Sequence, residues 1–145
     1  NTDTKTLKEE IEALFSDHVT PSRMLVNVLS FGYKFGVPLD ADLMFDVRFL
    51  RNPHYVPSLQ PFSGADPAIE QFVMEDPDAQ VYLKQLQELL AFSLPRYGAE
   101  GKSYLTVAIG CTGGRHRSVV FARLLADFLR EANYEVVLEH RDMKR

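Results

Sequence analysis

A glycine-rich turn between Gly110 and Ser118 carries the residue types best suited to chemistry in this sequence. It reads GCTGGRHRS and leads from an apolar, strand-like run into a run with helical spacing. Backbone N–H groups at the start of a helix, together with the positive end of the helix dipole, favour an anion. The turn therefore predicts a site for a phosphate-like group.

Several side chains and glycines of this turn could hold the anion. Gly113 and Gly114 allow a positive φ and a close approach of the backbone to a ligand, and Arg117 can donate to two anion oxygens at once. The glycines could instead serve only to make a tight turn between the strand and the helix. Such a turn does not explain the cations at the helix N-terminus, where the dipole disfavours positive charge. The predicted binding residues in the turn are Thr112, Gly113, Gly114, Arg115, Arg117 and Ser118.

The same turn allows a second use, because five residues separate Cys111 from Arg117, as in the phosphate loop of cysteine-dependent phosphatases. In that chemistry a thiolate attacks phosphorus, an arginine holds the oxygens and an acid protonates the leaving group. The candidate acid is Asp66, and Asp42 and Asp46 are alternatives. The histidine that those phosphatases place before the cysteine is absent. A lone thiol is also often a buried structural residue, which is the interpretation we favour for Cys111 itself.

Further polar residues follow the other predicted strands. Arg48, Asn52 and His54 come at or just after the second strand, where they could contact the anion or an attached sugar, although turn chemistry alone also explains Asn52. Lys34 follows the first strand and could reach a phosphate, and we also predict it as an RNA-binding residue. A basic cluster ends the sequence, and it predicts either a solvated tail or a surface for a polyanion such as RNA. Its members are His140, Arg141, Lys144 and Arg145.

The elements that position these residues follow from hydrophobic periodicity. Four short apolar runs predict buried strands, at residues 24–31, 43–49, 104–109 and 134–138. Runs with helical spacing separate the later strands, at residues 67–74, 81–94 and 119–129, and Pro95 and Gly98 should end the second helix. This alternation predicts a three-layer α/β domain with a small, mostly parallel sheet of about four strands and helices on both faces. Ligands bind at the carboxyl ends of such strands, where the loops should converge.

Composition limits the class of protein. A length of 145 residues with 46% apolar residues fits one compact domain, and a net charge of −4 excludes a generally basic polyanion binder. The lone cysteine rules out an internal disulfide framework and fits a reducing compartment, so we expect a cytoplasmic protein. No apolar run is long enough to span a bilayer. We therefore expect no membrane partner.

Several motifs occur together in an order that is more specific than any one of them. They are SFGYKFG at 30–36, FDVRF at 45–49, NPHY at 52–55, the GCTGGRHRS turn and HRD at 140–142. With these motifs the chain resembles, from about Pro21 onward, the C-terminal domain of the RapZ (YvcJ-like) family of RNase adapter proteins. That family joins this domain to an N-terminal P-loop domain that binds ATP and GTP, and no P-loop motif occurs here. The resemblance implies that residues 1–20 are a linker helix from a missing P-loop domain, and that residues 21–145 are the ligand- and RNA-binding domain.

The resemblance also implies a non-catalytic sensor and adapter. Such a domain would bind a phosphorylated metabolite, an amino-sugar phosphate in the enteric branch, and would contact RNA and a ribonuclease as a homo-oligomer. A purely oligomerising module is a further possibility. We expect no metal or cofactor in this domain, whereas the P-loop domain would bind ATP or GTP with weak hydrolysis. The implied pocket residues are His54, Thr112, Gly113 and Arg117, with Gly114 and Ser118 completing the phosphate cradle.

Two residues depart from the enteric pattern. Tyr55 stands where tryptophan is common, and Arg115 stands where lysine is common. The chain is therefore more similar to the branch from Gram-positive bacteria. For that branch, the resemblance supports the ligand pocket more strongly than it supports an RNA partner.

Overall fold

The computed structural model describes residues 24–145, and a four-stranded parallel sheet is its centre. Its order is β2-β3-β1-β4, and all neighbouring pairs are parallel. The strands are β1 (Leu25–Gly32), β2 (Leu43–Asp46), β3 (Tyr104–Cys111) and β4 (Glu135–His140). Three helices connect β2 to β3 and β3 to β4, namely α1 (Pro67–Met74), α2 (Pro77–Ala99) and α3 (Arg117–Glu131).

The predicted α/β class and small parallel sheet are confirmed. The linker helix predicted for residues 1–20 lies outside the described residues. Within residues 24–145, no helix is long and apolar enough to cross a membrane.

Aspartate caps and prolines start the first two helices. The carboxylates of Asp66 and Asp76 accept hydrogen bonds from the backbone N–H two residues further on, at 2.9 and 3.0 Å. A proline follows each cap, and it suits this position because its φ is already helical and its missing N–H is not needed there. These local signals explain why α1 has the predicted bounds.

Three predicted boundaries differ from the structure by at least three residues. α2 begins at Pro77, directly after the Asp76 cap, instead of at residue 81. Pro95 does not end α2, which continues to Ala99 because the packing of Leu94 and Pro95 in the core outweighs the backbone hydrogen bond that proline cannot make. The second strand ends at Asp46 instead of continuing to residue 49. The N–H of Val47 still donates to the carbonyl oxygen of Gly110 at 2.9 Å, and the Asp46 carboxylate then accepts the N–H of Arg48 at 2.8 Å in the turn that follows.

One apolar core joins the sheet to the helices. Side chains alternate across a strand, so Val26 and Val28 of β1 share a face with Val107 of β3. This face packs in one cluster with apolar residues from all three helices, including Leu90 of α2 and Leu125 of α3. The core therefore fixes the central strands, from whose carboxyl ends the loops of the site begin.

Candidate functional site

A cavity of about 510 Å³ lies at the carboxyl edge of the sheet. The chain after each of the four strands contributes to it, as predicted for ligand sites of parallel sheets. Lys34 and Phe35 come from the turn after β1, and Arg145 comes from the segment after β4. The segment after β2 provides Asn52, His54, Tyr55, Gln60 and Pro61, and the glycine turn with its flanking residues provides Cys111, Thr112, Gly113, Arg115, His116 and Arg117.

The glycine turn owes its shape to Gly114. This residue has a φ of +74°, and a Cβ there would lie 2.5 Å from the backbone N of Gly32 and 2.7 Å from the carbonyl C of Phe31. Gly113 does not have a positive φ, so the prediction of left-handed backbone holds for Gly114 alone. A Cβ on Gly113 would meet nothing within 4 Å. Gly114 therefore packs the turn against the end of β1, whereas Gly113 leaves open space at the cavity.

The Cys111 thiol is hydrogen-bonded within the turn. Its Sγ accepts the N–H of Gly114 at 3.3 Å and lies 3.1 Å from Oγ of Ser118. Cys111 and Ser118 are both buried, and only Cys111 contributes to the cavity lining. The thiol thus ties the end of β3 to the first turn of α3, which agrees with a structural role. The structure does not bring Ser118 or Gly114 to the cavity surface.

Arg117 connects the glycine turn to the segment after β2. It is only 4% exposed, and its Nη1 donates to the carbonyl oxygens of Arg48 at 2.6 Å and Leu50 at 3.0 Å. Among the described residues, its buried Nε has no hydrogen-bond partner. Buried donors are nearly always paired, and this unpaired N–H belongs to a side chain that lines the cavity. Burial lowers the pKa of Arg117 below its ordinary value, but arginine stays charged.

The cavity is cationic. Lys34, Arg115, Arg117 and Arg145 line it, and no aspartate or glutamate of the described chain does. It also lies beside the start of α3, where His116 occupies the N-cap position without a side-chain cap. Burial lowers the pKa of His116, whose Nε2 is 2.5 Å from the carbonyl oxygen of Phe62. An uncapped helix N-terminus and four cations give a site whose electrostatics suit an anion.

Other predicted residues have partners elsewhere. The guanidinium of Arg48 pairs with Asp46 at 2.7 Å and lies 3.8 Å from the centre of the Tyr33 ring, outside the cavity. Nδ1 of His140 lies 2.7 Å from Oγ of Ser30 in a half-buried position. Burial lowers the pKa of this histidine, and the charge of Arg123 lowers it further. These residues support the site or the sheet and do not line the cavity.

The remaining predicted residues lie next to the cavity. Lys144 and Asp66 line a shallower neighbouring depression that shares Arg115 with the main cavity. Asp66 caps α1 there, so the structure does not bring this candidate acid to the cavity that Cys111 lines.

Sequence reasoning missed several residues that lie at or beside the cavity. Phe35 and Tyr55 provide aromatic surface, and His116 provides a ring nitrogen at the cavity. Asp142 was quoted only as part of a motif, yet its carboxylate is buried between the tail and the glycine turn. A carboxylate flanked by Arg141 and Arg145 in a tail that returns to the carboxyl edge is the signal that could have identified it.

These features define a small parallel α/β domain with a cationic cavity at the carboxyl edge of its sheet. The family model of the RapZ C-terminal domain matches residues 24–144, and the chain belongs to this family. The resemblance read from the motifs is therefore confirmed.

Relatives are similar over nearly the whole chain. The nucleotide-binding protein STH186 of Symbiobacterium thermophilum is 54% identical over 139 residues, which are 96% of this chain and 46% of that protein. The nucleotide-binding protein of Moorella thermoacetica is 52% identical over the same shares. That of Trichlorobacter lovleyi is 50% identical over 96% of this chain and 49% of its own length. The chain thus spans about half the length of the curated relatives that it matches.

Proposed function

We propose that this domain is a non-catalytic sensor that binds a phosphorylated small molecule in the cavity. The observation that carries the proposal is the buried, unpartnered Nε of Arg117 within the described chain, at an uncapped helix N-terminus. A phosphate oxygen there would accept this N–H while Thr112 and the backbone of Gly113 contact the other oxygens. The additional charges of Lys34 and Arg115 would balance a phosphate that carries about two negative charges.

The size and lining of the cavity support a small polar metabolite. Its volume of about 510 Å³ lies within the usual range for small-molecule sites. The side chains of Asn52, His54 and Gln60 also line the cavity and offer hydrogen-bonding groups suited to hydroxyl or amino groups. An amino-sugar phosphate combines these features, and it is the ligand we propose first.

The wider role rests on family membership. We propose that the domain works within a longer adapter protein whose P-loop domain binds ATP or GTP with weak hydrolysis, consistent with relatives called nucleotide-binding proteins. Contacts with RNA and a ribonuclease, homo-oligomer formation and a cytoplasmic location are further parts of this proposal. Within the basic cluster, Lys144 is exposed and suited to an RNA phosphate, whereas His140 is half-buried against Ser30.

Ligand-induced thermal stabilisation tests the proposal. At a ligand concentration about 100 times the dissociation constant, glucosamine 6-phosphate should stabilise the protein by about 2.7 kcal/mol, and glucosamine should not. His54→Ala and Lys34→Ala should each weaken binding by about tenfold, because both exposed side chains line the cavity without holding the fold together.

The matched control is Lys84→Ala, which removes an exposed cation from α2, outside the cavity. This variant should bind like the wild type. A panel of sugar phosphates, nucleotides and inorganic phosphate that leaves the melting temperature unchanged would refute the proposal.

A cysteine phosphatase is the second candidate, because Oγ of Ser118 and the N–H of Gly114 both lie within hydrogen-bonding distance of the Cys111 thiol. These groups could stabilise a thiolate. The candidate acid Asp66 instead caps α1 and lies outside the cavity, and no described aspartate or glutamate lines the cavity to protonate a leaving group.

We therefore expect no hydrolysis of p-nitrophenyl phosphate by the wild type, and an unchanged ligand-induced shift for Cys111→Ser. Turnover by the wild type that Cys111→Ser abolishes would instead establish the phosphatase.

A further inference from the structure

The segment after β4 is held against the glycine turn by one buried carboxylate. Asp142 is 1% exposed and accepts the backbone N–H of Gly32 at 2.8 Å. It also accepts Nη2 of Arg141 at 2.8 Å and Nε of Arg145 at 2.7 Å. A Cβ on Gly114 would lie 2.9 Å from Cβ of Asp142, so this side chain also contacts the turn. The segment after β4, residues 141–145, is called the tail below. The tail, the end of β1 and the glycine turn therefore form one packed unit.

The surroundings of Asp142 stabilise its ionised form. Burial alone would raise its pKa, but the hydrogen bonds from Arg141, from the N–H of Gly32 and from Arg145 hold the pKa below its ordinary value. The carboxylate is therefore ionised at neutral pH, and it can hold two guanidinium groups in fixed positions.

Arg145 is one of these groups, and it is placed at the cavity. Its guanidinium carbon lies 4.7 Å from the centre of the Phe35 ring, whose other cationic neighbour is the Lys34 Nζ at 5.1 Å. All three residues line the cavity. The adjacent basic residue Lys144 does not line it, although it belongs to the same tail. The tail thus directs one particular cation into the site.

Arg145 and Lys34 both contact the Phe35 ring and both line a cavity that has no aspartate or glutamate among its described lining residues. An anion bound in this cavity would offset the repulsion among its cations. The carboxylate of Asp142 holds the guanidinium from the protein side, so the remaining N–H groups of Arg145 are available to a ligand.

We propose that Arg145 is a ligand-binding residue of the cavity and that Asp142 is its positioning residue. This assigns the end of the basic cluster to the small-molecule site instead of to an RNA surface. The inference rests on the proposed function, because it names a further contact for the same phosphorylated ligand.

Isothermal titration with glucosamine 6-phosphate tests the inference on the 145-residue chain. Arg145→Gln should weaken binding by about tenfold, the loss expected for one charge-assisted hydrogen bond. Asp142→Asn should weaken it by a similar factor, since asparagine keeps an acceptor for Gly32 but loses the charge that holds Arg145. The double variant should be no weaker than either single variant, because Asp142 acts through Arg145.

Three further variants make the test specific. Arg145→Lys should recover part of the affinity, because it restores the charge without the planar fork. Lys144→Gln should change affinity by less than about threefold, because this cation faces the neighbouring depression. Lys84→Gln should bind like the wild type.

The possible failures are distinguishable. Absence of binding by the wild type would refute the proposed function. Wild-type binding with equal affinity for Arg145→Gln would overturn only the present inference. A double variant whose losses simply add would overturn the positioning role of Asp142. If Asp142→Asn fails to fold, as judged by its melting transition, Arg145→Gln and Arg145→Lys decide the matter by themselves.

Discussion

Gly114→Ala should lower the free energy of unfolding by about 3 kcal/mol or more. A positive φ costs a residue with a Cβ about 1–2 kcal/mol, and forcing an extra methyl group into a filled space adds about 1–3 kcal/mol. The methyl group at residue 114 would lie 2.5 Å from the N of Gly32, and backbone atoms cannot rotate away. Urea denaturation followed by circular dichroism measures this loss.

Gly113→Ala is the matched control, because it adds the same methyl group one residue earlier. Its φ is not positive, and its Cβ would meet nothing within 4 Å. We expect its stability to remain within about 0.5 kcal/mol of the wild type, while glucosamine 6-phosphate binds more weakly because the methyl group enters the cavity. Equal stabilities for Gly114→Ala and the wild type would contradict the packing of the turn against β1.

Arg117→Ala should abolish stabilisation by glucosamine 6-phosphate and also destabilise the free protein. The carbonyl oxygens of Arg48 and Leu50 lose a charged donor, and an unsatisfied buried polar group costs about 1–3 kcal/mol. We expect the free protein to lose about 2–6 kcal/mol of stability for the two groups together. Melting temperatures with and without the ligand separate the two effects.

A conservative variant and a control make this prediction sharper. Arg117→Lys keeps the charge but lacks the fork, so it should retain part of the stability and bind the ligand more weakly than the wild type. Arg130→Ala removes an arginine from the other end of α3, where it pairs with Asp127 at 3.6 Å on the surface. Its effect should stay within about 1 kcal/mol and leave ligand binding unchanged. A wild-type ligand shift in Arg117→Ala would remove Arg117 from the site.

The pattern of apolar residues predicted the fold well wherever local conformational preference and packing in the core favour the same structure. The apolar runs located all four strands, and α1 starts after the Asp66 cap as predicted, whereas α2 starts at Pro77 instead of at residue 81. The exceptions have a common cause. Pro95 is tolerated because burial in the core outweighs a local preference, and the end of β2 depends on a hydrogen bond from Arg48 to Asp46 that periodicity does not encode.

The sequence predicted only the part of the site that is continuous along the chain, which is the glycine turn. The glycine turn is nine residues of sequence, and its nearness to a helix N-terminus could be read directly from the pattern. The partners of Arg117 lie 67 and 69 residues away along the chain, and Asp142 meets Gly32 across 110 residues. Such pairings follow from strand order, which the sequence did not determine, so the position of Arg145 at the cavity was not predicted.

The two hydrogen bonds from Arg117 to carbonyl oxygens connect the cavity to the segment after β2. Nη1 of this guanidinium holds the backbone at Arg48 and Leu50, and in the proposed complex Nε would donate to the ligand. A shift of the Arg117 side chain on ligand binding would therefore move the start of that segment. Most of the residues from 51 to 62 are exposed, so a partner protein that contacts them would respond to an occupied cavity through this one arginine.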